Sequence, residues 1–219
     1  MPHPPAHLQY VSQRLRPLDR SLPTVVAALD AGVDSVQLRD EATSIRAALQ
    51  ALKKDDHLLR TRVAINGQPG VAGTFAMPWL HLPASSLEGI PPFGRFERIG
   101  ISVHSFDEAV EADTIGADYV TFGHVFPTQS HPDEPGRGLD ALAEIVERLT
   151  IPVLAIGGIT LANVGEVLAT GCAGVVVMSA IADQKDPALA TRHLLDAIAG
   201  SPVAPRVPLQ PLEPRKARR

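Results

Sequence analysis

The chain has 219 residues, 45% of them hydrophobic and 20% charged, with a formal charge of -4; this is enough for one compact domain and too few for two large ones. No apolar run reaches the roughly 18 residues of a membrane span, and the Met1-Pro2-His3-Pro4-Pro5 start lacks a secretory pattern, so the expectation is a cytoplasmic protein with no membrane partner. Cys172, the single cysteine, excludes an intrachain disulfide and multi-cysteine metal sites, while the negative charge argues against nucleic acid as the main partner.

The first short apolar run is Leu8–Val11. Asp34–Arg39 reads as a strand followed by a helix over Thr43–Lys54, and Arg62–Asn66 and Trp79–Leu82 read as further strands. Strand Arg98–His104 precedes a helix over Ser105–Gly116, where Ser105 and Glu108 have capping-box spacing and Gly116 sits at a C-cap. Asp118–His124 leads through a long loop to a helix at Leu139–Leu149. Pro152–Gly157 precedes Thr160–Gly171, and Gly174–Ser179 precedes Pro187–Ala199. Eight strands alternating with helices over residues 1–200 predict a single-domain α/β fold, a (β/α)₈ TIM barrel. The Pro/Arg-rich stretch 201–219 has no periodicity and is expected to be a disordered or loosely docked tail whose basic end is simply solvated.

Strand alternation then selects the side chains that face the barrel axis: Ser35, Gln37 and Arg39; Ala64 and Asn66; Trp79 and His81; Gly100, Ser102 and His104; Ala155 and Gly157. A lone inward Gln or His is more often a hydrogen-bonded packing residue than a ligand contact. Several polar residues converging at the carboxyl ends of the strands favour a pocket there. Gly157-Gly158 after the seventh strand, with Met178-Ser179-Ala180 after the eighth, match the loops that form a phosphate site in this fold, with glycine letting backbone N–H groups approach the anion. The loop after the sixth strand, Phe122-Gly123-His124-Val125-Phe126-Pro127-Thr128 onward to Gly136-Arg137-Gly138, is long enough to be functional. His124 reaches the pocket only if the chain turns directly after Gly123, and its ordinary pKa suits proton transfer; His131 is expected to face solvent.

The same segments carry a family resemblance. Gln37-Leu38-Arg39-Asp40, Ser102-Val103-His104-Ser105, Gly116-Ala117-Asp118-Tyr119-Val120, Phe122-Gly123-His124-Val125-Phe126, Pro152 through Ile159 and Val177-Met178-Ser179 together resemble the thiamine phosphate synthase/TenI superfamily over about residues 8–200. One branch couples a pyrimidine pyrophosphate to a thiazole phosphate with Mg²⁺. The other, TenI, is a thiazole tautomerase that uses no metal. Synthases carry Asn-Asp-Arg after strand three and Gly-Gln-x-Asp after strand four, a Pro in place of His124 and a basic residue in place of Glu41. Here those strands end Asn66-Gly67-Gln68 and Pro83-Ala84-Ser85-Ser86, without either aspartate.

Those departures resemble the tautomerase branch, whereas Pro127-Thr128-Gln129-Ser130 resembles a synthase loop with His131 replacing its Lys. The expected function is therefore a metal-independent 1,3-proton shift, an isomerase reaction aromatising a 2-carboxylate thiazole phosphate, with no cofactor and no bound metal. The resemblance gives His124 as general acid/base. Gln37, Arg39, Asn66, His104 and Thr128 would contact the substrate, and Gly157, Gly158, Ser179 and Ala180 its phosphate. The alternatives are a Mg²⁺-dependent thiamine phosphate synthase and a non-catalytic thiazole-phosphate-binding or regulatory barrel. Thiazole carboxylate phosphate is the expected small-molecule partner, and a homodimer the expected assembly.

Overall fold

Eight short, mostly apolar runs become eight parallel strands in the computed structural model, which describes residues 5–13, 15, 17–89 and 94–213. They are β1 (His7–Val11), β2 (Ser35–Leu38), β3 (Val63–Asn66), β4 (Trp79–Leu82), β5 (Arg98–Val103), β6 (Tyr119–Gly123), β7 (Val153–Ile156) and β8 (Gly174–Val177). Each pairs with the next in chain order, and β8 closes on β1, with His7 opposite Gly174 and Gln9 opposite both Ser35 and Val176. The expected (β/α)₈ barrel is the observed architecture.

Around it lie α1 (Leu18–Asp30), α2 (Ala42–Leu52), α3 (Asp56–Arg62), α4 (Pro69–Thr74), a 3₁₀ turn (Ala84–Glu88), α5 (Phe106–Thr114), α6 (Gly138–Arg148), α7 (Val164–Leu168), α8 (Ser179–Ala182) and α9 (Pro187–Ala199). Ser105 caps α5 by accepting from the Glu108 N–H at 3.2 Å, while the Glu108 carboxylate reaches back to the His104 N–H at 2.5 Å. The helix expected over Thr160–Gly171 shrinks to α7. The Asn163 side chain accepts from the Thr160 N–H (2.7 Å) and donates to the Gly158 carbonyl (3.0 Å), which ties the preceding residues into a turn.

Two apolar cores result. The larger lies between sheet and helices, and the smaller fills the barrel axis with Val11, Ala64, Trp79, Tyr119, Leu154, Ala173 and Val176. Gly100 makes room for this inner layer, since a Cβ there would stand 2.1 Å from the Tyr119 ring. Strand parity holds on β2 to β6 and fails on β7: Leu154 joins the inner layer and Ile156 lines the cavity above it, whereas Ala155 packs in the outer core. Alternation in an all-apolar strand carries no polarity to read, so a buried parallel strand leaves its facing open.

Over 201–213 the carboxyl-terminal stretch is docked, the second of its two expected alternatives. The Arg206 guanidinium donates to the carbonyls of Val146 (3.1 Å) and Leu149 (2.7 Å), and its backbone N–H to that of Gly171 (2.9 Å). Arg98, held 4.7 Å over the Trp79 ring, donates to the Gln210 carbonyl at 2.5 Å, and Leu209 and Leu212 pack against the inner core. This segment is a docked strap across the amino-terminal end of the barrel; the basic residues 214–219 lie outside the described residues.

Candidate active site

A cavity of about 300 Å³ opens at the carboxyl ends of the strands. Its floor is polar. Across β1 to β3, the Asn66 amide donates to Gln37 Oε1 (2.8 Å), Gln37 Nε2 to Gln9 Oε1 (2.6 Å), and Gln9 Nε2 to Ser35 Oγ (2.9 Å). On β4 to β6, the His81 ring contacts the Tyr119 hydroxyl through Nδ1 and the Ser102 hydroxyl through Nε2, both at 2.9 Å. Burial alone pushes the His81 pKa down to about 3, so this ring is neutral.

One wall is the loop after β6. His124 is 5% exposed and lines the cavity, stacked at 4.9 Å on His131. Its Nε2 faces the carbonyls of Pro135 (3.1 Å) and Glu134 (3.3 Å), which only accept, so Nε2 carries a hydrogen. His104 also lines the cavity, yet its Nδ1 donates to the Gly123 carbonyl (2.9 Å), the atom that Arg137 Nε meets at 2.8 Å. It braces the loop. Thr128 and the exposed Arg39 stand at the mouth.

Gly157, Gly158 and Ser179 form the end of the cavity beside this loop, whereas Ala180 is not among the lining residues. Glycine has a second, steric reason here. At Gly157, with φ +100°, a Cβ would stand 2.2 Å from His124 Cβ, so the missing side chain admits the loop after β6 as well as leaving backbone accessible.

Of the expected residues, the fold therefore brings Gln37, Arg39, Asn66, His104, His124, Thr128, Gly157, Gly158 and Ser179 to one cavity. Sequence reasoning missed three features: His131 lines the cavity from an exposed position, Gln9 carries the floor's hydrogen bonds inward, and Tyr119 joins them from below. Alternation along His7-Leu8-Gln9-Tyr10-Val11 was the available signal for Gln9.

Comparison with known proteins decides the family. The pattern described as thiamine monophosphate synthase, TMP-TENI, matches residues 8–181. The chain belongs to this family. The thiamine-phosphate synthase of Methanocella arvoryzae is 37% identical over 177 residues, covering 76% of this chain and 82% of that one. That of Methanoculleus marisnigri is 39% identical over 181 residues, covering 78% and 84%. Among solved structures, the thiamine phosphate pyrophosphorylase of Pyrococcus furiosus superposes with a TM-score of 0.68 at 28% identity, covering 88% of this chain and 95% of that one. A 3-hexulose-6-phosphate synthase, with a TM-score of 0.67 at 19% identity and covering 88% and 99%, shares the barrel.

These relatives correct the branch. The expected isomerase, a thiazole tautomerase working through a His124 proton shift, is overturned, because relatives 33–39% identical over most of the chain are named thiamine-phosphate synthases and nothing among them is specific to a tautomerase. The motifs that pointed to it are a few residues at strand ends, outweighed by identity along the whole barrel. The family is one of enzymes, and they are transferases.

The family also implies Mg²⁺, and the residues present do not fit a protein-held ion. Asn66 ends β3 with its amide nitrogen committed to Gln37, and the residues after β4 are Pro83, Ala84 and Ser85. Asp40, at the end of β2, is spent on the backbone N–H groups of Leu15 (2.5 Å) and Glu41 (2.6 Å). Among the described residues, no three His, Cys, Asp or Glu side chains come together as a ligand set.

Proposed function

We propose that this chain is a transferase of the thiamine-phosphate synthase type, in which a pyrimidine unit leaves its pyrophosphate and is joined to a thiazole phosphate. The observation that carries this reading is a cavity with one polar floor and one glycine-lined end inside a barrel of that family. The thiazole phosphate would place its phosphate against backbone N–H groups at Gly157, Gly158 and Ser179, the last of which opens α8 and lacks an intrahelical acceptor. Gln37, Asn66 and Ser102 would meet the rings. Arg39 and Thr128 at the mouth would face the departing pyrophosphate, where a fixed guanidinium favours the developing negative charge. His124 walls the cavity beside the phosphate end, and His104 holds the loop that carries it.

Incubation with the two half-substrates and Mg²⁺, followed by mass spectrometry, should give thiamine phosphate and pyrophosphate. Absence of product with both substrates bound would reject the reading. A second reading is favoured by the carboxylate-free ends of β3 and β4: a barrel that binds thiazole phosphate without turnover. Saturable binding of thiazole phosphate with no product is its signature.

A further inference from the structure

The floor of the cavity is the top of a buried hydrogen-bond network with a single crossing point. Tyr119, fully buried, has one proton and two lone pairs at its hydroxyl, and three partners surround it. Trp79 Nε1, 3.1 Å away, can only donate and so occupies one lone pair. The other two partners are His81 Nδ1 at 2.9 Å and the Gln9 carboxamide. One lone pair and one proton remain for these two. When Gln9 donates, His81 must accept, and when Gln9 accepts, His81 must donate.

In the arrangement observed, Gln9 Nε2 points inward to Ser35 Oγ while its Oε1 receives Gln37. The Tyr119 proton then goes to His81 Nδ1, leaving the hydrogen of the neutral ring on Nε2, where it meets Ser102. The amide chain runs the same way to its end: Asn66 donates inward to Gln37 and so shows Oδ1 to the cavity. Ser35 passes its own proton to His7 Nε2 at 2.7 Å. That ring is also neutral, its pKa lowered to about 3 by burial and then by the Arg98 charge.

We propose that Tyr119 and Trp79 are positioning residues that couple the tautomer of His81 to the direction of the Gln9–Gln37–Asn66 amide chain, so that the cavity offers an acceptor at Asn66 only together with a hydroxyl at Ser102 held by His81 Nε2–H. Neither residue lines the cavity. Both act through others, and they turn several independently rotatable groups into one two-state unit. The consequence for substrate affinity rests on the transferase reading; the coupling itself does not.

The test is the tautomer of His81, read by NMR on unliganded protein labelled with ¹⁵N-histidine. Wild type should show Nε2 protonated. Asn66→Asp removes the donor at the end of the chain, forces Gln37 to donate toward position 66, reverses Gln9 and should move the His81 proton to Nδ1. Asn66→Asp combined with Trp79→Phe frees a lone pair on Tyr119, and His81 should then show a mixture of tautomers. An Nδ1-protonated His81 in wild type, or a tautomer unmoved by Asn66→Asp, overturns the coupling. Tyr119→Phe, which keeps the ring, should raise KM for thiazole phosphate about tenfold and leave kcat within about twofold. An unchanged KM would overturn the positioning role, whereas a wild-type enzyme that forms no product tells against the transferase reading and leaves the tautomer result to decide the coupling.

Discussion

Two histidines at the barrel axis, His81 buried and His7 half-buried, predict an acid-labile fold with a slope that can be assigned to residues. His7 and His81 each have a pKa pushed down to about 3, by burial first and, for His7, by the Arg98 charge second. In the unfolded chain each returns to about 6.5, so between those values the unfolded state binds protons that the folded state refuses. Stability is therefore complete above pH 6.5 and falls as pH drops through the window from about 6.5 to about 3. At pH 5, about 1.5 units below the unfolded value, each ring costs about 2 kcal/mol and the pair about 4, a large share of a usual stability of about 5–15 kcal/mol. Asp34, whose carboxyl pKa is raised chiefly by burial, works in the opposite sense and offsets part of the loss at the acidic end. Urea unfolding followed by circular dichroism at pH 7.5 and pH 5 measures the difference. His81→Gln, which can still accept from Tyr119 and donate to Ser102, should recover about 2 kcal/mol of the loss, and His7→Gln a similar amount. A wild-type stability that does not change between the two pH values, or a loss equal in wild type and both variants, refutes the assignment.

Gly157→Ala would set a Cβ at the 2.2 Å approach to His124 on a backbone with φ +100°, and should cost at least about 2 kcal/mol, seen as a fall in melting temperature; an unchanged melt would show that the loop gives way freely. Truncation after Val203 removes the Arg206 and Gln210 hydrogen bonds and the Leu209 and Leu212 contacts, and calorimetry should find a loss on the order of 3 kcal/mol, against none for a merely solvated tail. Mg²⁺ alone, titrated to about 1 mM, should leave the melting temperature of the unliganded protein where it was, since the strand ends supply no carboxylate set; a saturating rise would contradict that.

The fold was legible because alternation and capping agree over most of the chain: the Pro187–Ala199 helix and the Ser105 cap follow directly from local chemistry. The cavity was legible where polar and apolar residues alternate, as at Gln37, Asn66, His81 and Ser102. Val153-Leu154-Ala155-Ile156 offers no such contrast, and its facing is decided by which side chains fill the axis beside Tyr119. The strap was hidden for a different reason. Its anchors are single residues, Arg206 and the Gln210 carbonyl, meeting partners brought close only by barrel closure. Proline-rich sequence describes what such a segment cannot form, not what it lies against.

The clash between motif and family has its origin in the same distinction. Identity along the barrel reports the shared scaffold, whose requirements are spread over many positions: apolar strands, and glycines where Tyr119 and His124 approach. A metal site depends on very few. At the ends of β3 and β4, where the synthase pattern has aspartates, this chain has Asn66-Gly67 and Pro83-Ala84, and the Asn66 nitrogen is already a link in the buried amide chain. A neutral carboxamide oxygen is a weak single ligand for a hard dication that favours carboxylates and phosphates. Binding at these strand ends therefore rests on hydrogen bonds of fixed direction rather than on charge, so affinity should follow the polarity of the floor. The network that sets that polarity lies beneath the cavity, on Trp79 and Tyr119, where no inspection of strand-end motifs would look.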